Sequence, residues 1–499
     1  MNSIFDRNVD MFHKLLLSIR PAKHINYTID DIVSDDYDKY QDHQVINVAK
    51  KLFGLDYPLY HVSKNRYVTD CLLYSLSWLP IRDISTQFLN MESIYEATDI
   101  YFNGIAANPN ISSLLPFSQN LFNMNNFDFL NFIVTRGMAA HLLKYDQLHD
   151  VYYMDLIQMY NYEVRPDFLP YGAYLEFDSS RKIKYIRLPY TAHIENYKVI
   201  DVIPCLGDIY YPGSDRWMLA YNVALSTILA YVYVSEYVTK CHIILGGIVS
   251  YWHYQQKMDK NIFDMLKPFL YKSIDINSTA LNIFASAGGC LSRIFAFTDV
   301  GLKSLMEHTI RNFKYISITN MKYKNNIYVH TEFYTDAINI WRITKNFVKE
   351  FIEAIPETEY DNSLFASIYA VAPGLINVAK SPRSNMIKLI SAHIFNVSFW
   401  QRHVGNIAMY CINPKILKTK VYKNYPFSTI DSRQNTIQNI NMSLLTSSIG
   451  MPKLTDGIWQ ACKQTEYRYL FIKFQTDLLD LVIKCEHLHP KYLNISMTQ

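Results

Sequence analysis

The side chain best placed to do chemistry in this sequence is His242, which follows a long run of apolar residues. A histidine on an apolar helix is either a metal ligand or, more commonly, a core residue with a hydrogen-bonded ring, and both interpretations stay open. Other reactive side chains, such as His308, Glu332 and Asp336, form no recognisable triad or carboxylate pair. The role of His242 therefore depends on what the fold brings to it.

Several classes of site and partner are excluded by the composition. The seven cysteines contain no CxxC pair, which excludes zinc-ribbon and thioredoxin-type sites, and such an odd, sparse set favours a reducing compartment. No GxxxxGK motif occurs, so Gly288-Gly289 indicates a tight turn or a close helix approach rather than a phosphate loop. With 48 basic and 45 acidic residues the net charge is only +3, and nucleic acid is not expected as a partner.

A helix around residues 217–242 must position His242. Its first 19 residues, through Ser235, carry no charge, which is typical of either a membrane span or a helix buried on all sides. The polar residues Asn222, Ser226 and Thr227 within this run favour the buried helix. We therefore predict a central core helix and not an integral membrane protein.

The remaining sequence predicts a mainly helical chain with a small antiparallel β element. Polar–apolar alternation around Asp178-Ser179-Ser180 predicts a β-hairpin near residues 174–190. An apolar stripe predicts a helix over residues 335–355, capped by Thr335 or Asp336. A second buried helix is predicted over residues 384–412, with Ser384 as its cap.

The N-terminus gives an expectation about location. Charges at Asp6, Arg7, Asp10 and Lys14 interrupt it before an apolar run develops, so no signal peptide is predicted. We expect a soluble, intracellular protein.

Six segments, in order, resemble the catalytic domain of the lipoxygenases. They are FNGIAANP (102–109), SDRWMLAYNVALSTILAYVYVSEYVTKCH (214–242), FDMLKPFLYKSIDIN (263–277), SAGGCLSRIF (286–295), DAINIW (336–341) and PKYLNISMTQ (490–499). The resemblance implies one large, mainly helical domain over residues 1–499, with residues 1–60 as an N-terminal extension of that domain. It also implies that the family's N-terminal β-sandwich is not part of this domain.

The family oxygenates polyunsaturated fatty acids with a non-haem iron, which three histidines, often an Asn or His, and the C-terminal carboxylate hold. The resemblance places five residues of this chain at those positions: Tyr237, His242, Gln401, Gly405 and Gln499. The family's first two histidines are five residues apart, a spacing that a π-type turn places on one face of a helix. The same spacing separates Tyr237 from His242.

This donor set predicts a degenerate iron site. Gln401 offers a neutral amide in place of an imidazole, Gly405 offers no side chain, and Tyr237 could bind ferric iron only as a phenolate. We expect no cofactor and a catalytically inactive relative, a pseudoenzyme with a structural, interaction or lipid-binding role and a lipid or a protein as its partner. The alternative is a non-canonical dioxygenase, or another oxidoreductase, with an altered iron site.

The same resemblance implies an apolar channel between His242 and Gln401. Bulky Tyr237, Phe399 and Trp400 predict that this channel is narrowed or filled.

Overall fold

In the computed structural model, part of the chain is described in detail. It comprises residues 25–26, 125–196, 198–204, 207–245, 260–270, 291, 294–313, 332–355, 382–405, 410, 418–423, 449–450, 453–455, 457–462 and 465–484. The segments 102–109 and 490–499 and the residues Gly288, Gly289 and Gln499, all named above, lie outside these ranges.

The described residues are mainly helical, as the sequence predicts. The helices are α1 Asn126–Thr135, α2 Trp217–Ala230, α3 Lys260–Leu270, α4 Asp299–Arg311, α5 Glu332–Ala354, α6 Pro382–Phe395, α7 Gln401–Gly405 and α8 Arg468–Lys484. Two further stretches are π-helical: the first π segment, Tyr231–Ile244, and the second π segment, Asn396–Trp400.

The β element is larger than the single predicted hairpin. Its strands are β1 Ile25–Asn26, β2 Lys144–Asp146, β3 Val151–Asp155, β4 Tyr174–Phe177, β5 Ile183–Arg187, β6 Tyr190–Glu195, β7 Lys198–Pro204, β8 Ile209–Tyr210 and β9 Ile449–Gly450. The predicted hairpin is confirmed as the antiparallel pair β4–β5, at the centre of a five-stranded sheet ordered β2-β3-β4-β5-β8. Strands β6 and β7 form a second hairpin, and β1 pairs with β9 in parallel.

Helix α2 runs without a break into the first π segment, and together they form the central helix of the core. Apart from Met218, Tyr231 and Lys240, its side chains from Trp217 to Ile244 are buried. Among the described residues this helix alone is long and apolar enough to cross a bilayer, but 89% of its most apolar window is buried inside the protein. Its apolar surface thus packs against protein, which agrees with a core helix.

Two side chains donate hydrogen bonds to backbone carbonyls in the wider turns of the first π segment. The Thr239 hydroxyl donates to the carbonyl of Val234 at 2.6 Å, and the Cys241 thiol donates to that of Glu236 at 3.3 Å. Both bonds join residues five apart, which is the spacing of π-helical backbone bonds. Polar side chains on this apolar helix therefore fit its local geometry.

A second long buried helix crosses the core as α6, the second π segment and α7. All its residues from Ser391 to Gly405 are buried, in agreement with the predicted core helix over 384–412. Residues 406–409, 411 and 412 of that prediction lie outside the described part.

The predicted starts of two helices are wrong by two to four residues. Helix α5 begins at Glu332, so Thr335 and Asp336 lie inside it rather than at its cap. Helix α6 begins at Pro382, a residue whose fixed φ suits the first turn of a helix, and Ser384 lies within that turn. In both cases the residues just before the predicted cap already belong to the helix, so each helix starts earlier than predicted.

Helix α4 packs against the first π segment and supports it from one side. The Thr298 hydroxyl caps α4 by accepting from the backbone N–H of Gly301 at 3.0 Å. Gly301 itself allows a close approach, because a Cβ there would lie 2.0 Å from the carbonyl oxygen of Glu163. This close contact sets how near α4 can lie to the backbone of Glu163.

Candidate functional site

The first π segment brings Tyr237 and His242 together, as the five-residue spacing predicts. Their rings form an edge-to-face pair with centroids 4.6 Å apart and planes at 89°. The ring of Tyr233 also packs against Tyr237, with centroids 5.3 Å apart. The two positions that correspond to the family's first two iron ligands therefore share one face.

Tyr237 is a neutral phenol in this environment. Burial raises the pKa of its hydroxyl well above the usual value, Cys241 acts in the same direction, and the positive charge of Arg402 opposes them in part. A phenol with a raised pKa stays protonated at neutral pH and can donate a hydrogen bond.

Helix α7 faces the first π segment and carries the other two positions that the structure describes. Gln401 is 1% exposed, and among the described residues neither atom of its side-chain amide has a hydrogen-bond partner. Gly405 is buried and has no side chain. This side of the site thus provides one buried amide.

Sequence reasoning did not select Arg402 for the site, yet its positive charge acts on Tyr237. Its side chain is buried, and burial lowers the pKa of the guanidinium to about 10, although the neighbouring Tyr237 acts to raise it. A pKa of about 10 keeps Arg402 charged at neutral pH. The signal in the sequence was an arginine within an otherwise apolar helix, where charge is rare.

His403 belongs to a different cluster. Its Nε2 lies 3.2 Å from Nδ1 of His141, and its ring packs on Phe333 with centroids 4.0 Å apart. The ring of Trp400 lies 4.6 Å from that of His141 and covers the pair. His403 therefore joins α7 to the turn Ala140–Leu142, while the preceding residue, Arg402, interacts with Tyr237.

The described positions equivalent to the family's iron shell carry donor groups that differ from the family's own. No group of three or more His, Cys, Asp or Glu side chains converges anywhere in the described part of the chain. At the positions equivalent to the iron shell it contains one imidazole, a protonated phenol, an amide and a glycine. Gln499 lies outside the described residues.

No family model and no curated protein matches this sequence. Solved structures do match its fold. A lipoxygenase deletion variant aligns with a TM-score of 0.63 at 14% identity, covering 95% of this chain and 76% of that one.

Two natural lipoxygenases give similar results. A coral 8R-lipoxygenase aligns with a TM-score of 0.61 at 14% identity, over 90% of this chain and 80% of that one. A fungal lipoxygenase from Fusarium graminearum aligns with a TM-score of 0.61 at 12% identity, over 91% and 90%. The fold is lipoxygenase-like. At these identities the similarity concerns architecture, and the chemistry must be argued from the residues.

The lipoxygenase-like architecture confirms the fold that the sequence resemblance implies. Within the described ranges, residues 336–341 lie in α5 and residues 263–270 lie in α3. The extent of the domain over 1–499 and the status of residues 1–60 stay predictions.

Proposed function

We propose that this protein has a lipoxygenase-like fold without lipoxygenase chemistry. In this proposal the chain binds no catalytic iron and does not oxygenate polyunsaturated fatty acids. Its role is structural or interaction-based, or it binds a lipid, so that its partner is a protein or a lipid.

The observation that carries the proposal is the lack of strong metal donors on α7, which faces the π segment that holds His242. Where the family's pattern requires an imidazole, Gln401 presents an amide that is fully buried and without a hydrogen-bond partner among the described residues. A primary amide is a weak ligand for ferrous iron, and Gly405 adds no donor. With Tyr237 protonated, His242 is the one strong side-chain donor of the described positions.

A second candidate function rests on the first π segment. Tyr237 and His242 share one face, and a ferric ion could in principle hold Tyr237 as a phenolate and lower its pKa. This arrangement favours an oxidoreductase with an altered non-haem iron site. It requires further donors that helix α7 does not supply.

Metal analysis combined with oxygen uptake separates the two candidates. We expect purified protein to contain no stoichiometric iron and to consume no oxygen with linoleate or arachidonate. Reconstitution with ferrous iron under anaerobic conditions should not change either result. One bound iron per chain, with turnover that is lost in His242→Ala, would establish the altered iron enzyme instead.

Two variants sharpen the test. The double variant Tyr237→His with Gln401→His should gain iron affinity, because it restores two imidazoles on facing helices. His393→Ala serves as the control for His242→Ala, since His393 is a buried histidine of α6 outside the site. Equal effects of the two alanine variants on metal content would indicate damage to the core rather than loss of a ligand.

A further inference from the structure

Helix α8 carries exposed apolar side chains on the face opposite its core contacts. Its inner face is filled, because Phe471 and Phe474 pack against Phe347 of α5 with ring centroids 5.0 and 4.5 Å apart. The outer face of such a helix normally carries charged and polar residues. Here four large apolar side chains remain exposed: Tyr469 at 59%, Ile472 at 48%, Leu479 at 45% and Ile483 at 78%.

These four residues and Thr476 follow one line along the helix, which we call the apolar row. Successive members are three, four, three and four residues apart, which is the spacing at which two helices pack along a common seam. From Tyr469 to Ile483 the apolar row extends over about 21 Å of helix. Single exposed apolar side chains are ordinary on protein surfaces, but a row with this spacing presents a strip that suits a second helix.

The apolar row is nearly symmetric about Thr476. Tyr469 and Ile483 lie seven residues before and after it, while Ile472 lies four before and Leu479 three after. In an antiparallel pair of α8 helices with a two-fold axis at Thr476, Tyr469 of each chain therefore meets Ile483 of the other, and Ile472 meets Leu479. A two-fold interface requires this kind of self-complementarity, because the same patch serves both copies.

The charges beside the apolar row fit the same arrangement. Lys473 and Asp480 are exposed along one edge of the row, three residues before and four after Thr476. A two-fold antiparallel pair brings each edge against the same edge of the other copy, so that Lys473 of each chain lies opposite Asp480 of the other.

Both of these charged residues also have a neighbour of opposite charge within their own chain. Lys473 forms an ion pair with Glu350 of α5, and Asp480 lies 3.8 Å from Lys484. Exposed ion pairs of this kind contribute little to stability. They leave Lys473 and Asp480 accessible to a second copy.

We propose that α8 pairs with α8 of a second copy of this chain, antiparallel and about a two-fold axis at Thr476. The inference rests on the proposed function in one respect, which is that the role is interaction-based, and it names a second copy as the partner. A seam of this length buries less surface than a standard interface of about 1,600 Å². The dimer is therefore weak and reversible, and its population rises with protein concentration.

Sedimentation of the full-length protein over a series of concentrations measures the pairing. We expect the mass to rise from one chain to two and no further, because a two-fold contact closes on itself. Ile472→Gln with Leu479→Gln should weaken association by about tenfold or more. The Tm of the single chain should not change, since both side chains are exposed there. Val300→Gln is the matched control, because Val300 is 63% exposed on α4 and lies outside the apolar row.

A cysteine at the two-fold axis tests the geometry. Thr476→Cys brings two thiols together across the axis, so mild oxidation should give a disulfide-linked dimer. Ser304→Cys, at an exposed position of α4, should stay unlinked, and the wild type gives the background from the chain's own cysteines. Asp480→Lys should weaken association more than Asp480→Asn does, because it places a second cation opposite Lys473 of the other copy.

Three results would overturn the proposal. They are a single-chain mass at every concentration, association that the double glutamine variant retains, or equal cross-linking of Thr476→Cys and Ser304→Cys. Flotation with phosphatidylcholine vesicles tests a lipid surface as the other occupant: a wild type that stays monomeric and binds vesicles through the apolar row would contradict self-pairing. Iron content and oxygen uptake of the same preparations test the proposed function separately, since bound iron contradicts that function whatever mass is found.

Discussion

At the scale of single residues, Gln401 is a side chain whose polarity costs stability. Both of its amide atoms are buried without a hydrogen-bond partner among the described residues. An unsatisfied buried polar group costs about 1–3 kcal/mol. We expect Gln401→Leu, which keeps the approximate volume, to raise the free energy of unfolding by about 1–2 kcal/mol in chemical denaturation.

Tyr171 is the control for Gln401, because its buried polar group is hydrogen-bonded. Its hydroxyl donates to the carbonyl of Thr419 at 2.8 Å and accepts from the backbone N–H of Ala296 at 2.7 Å. Tyr171→Phe would leave both backbone groups buried and unpaired, and should lower the free energy of unfolding by about 1–3 kcal/mol. If Gln401→Leu destabilised the protein as much as Tyr171→Phe does, its amide would have a partner and the first prediction would fail.

Acid sensitivity is expected from the His141–His403 pair. Burial lowers the pKa of His141 to about 4, Glu236 and the backbone at Met138 act to raise it, and Lys240 acts to lower it. An unfolded histidine titrates near 6.5. The unfolded chain therefore binds more protons between these values, and the contribution of His141 is complete above pH 6.5 and is lost as the pH falls towards 4.

Chemical denaturation at a series of pH values from 7 to 4 measures this loss. His141→Gln should show a shallower decline than the wild type over that window. His393 also contributes to this acid sensitivity, because burial lowers its pKa to about 3. His393→Gln is therefore the companion variant and should also show a shallower decline. Identical pH profiles of wild type and His141→Gln would exclude His141 as a source of the acid sensitivity.

At the scale of elements, the position of α4 depends on Gly301, which lies against the backbone of Glu163. Alanine at a helical position normally gains up to about 1 kcal/mol over glycine. Here the new Cβ would lie 2.0 Å from the Glu163 carbonyl oxygen, which is backbone and cannot rotate away. We expect Gly301→Ala to lose about 1–3 kcal/mol net, as overpacked sites do.

Ser304→Ala on the same helix is the matched control, since Ser304 is exposed and its substitution removes no packing. Chemical denaturation should show this variant within about 0.5 kcal/mol of the wild type. A neutral Gly301→Ala would mean that α4 can shift away from Glu163 at little cost.

The long helices could be predicted from the sequence, but the directions of the side chains on α7 could not. Apolar periodicity locates α5 and α6 to within a few residues, while their starts depend on weak capping signals. The second π segment inserts a wider turn just before α7, which rotates Arg402 and His403 relative to a regular helix. No local pattern marks that insertion, so the orientation of Arg402 towards Tyr237 was not predicted.

At the scale of the whole molecule, long-range partners were the main features that the sequence did not reveal. His141 and His403 are 262 residues apart in the chain, and nothing near either residue indicates the other. The five-residue spacing of Tyr237 and His242 was informative because one local geometry, the π turn, converts it into a shared face. The fold class was likewise predictable, because long apolar helical patterns and one alternating segment together specify a mainly helical domain.

The final prediction concerns how the whole chain partitions between water and detergent. The helix Trp217–Ile244 has the length and apolarity of a membrane span, yet 89% of its most apolar window is buried by the protein itself. Burial against other helices removes the same apolar surface from water that a bilayer would. We expect full-length protein to be recovered from the aqueous phase of a detergent phase separation.

Partitioning should change when the packing around this helix is weakened. Gly301→Ala should force α4 away from the Glu163 backbone, and α4 also packs against the first π segment. We therefore expect this variant to move a measurable fraction of the protein into the detergent phase on warming, while Ser304→Ala should not. Recovery of the wild type only from detergent-extracted membranes would contradict the prediction. In that case the apolar surface of the central helix would face lipid rather than α4 and α7, and the ring contact between Tyr237 and His242 would have to be reconsidered.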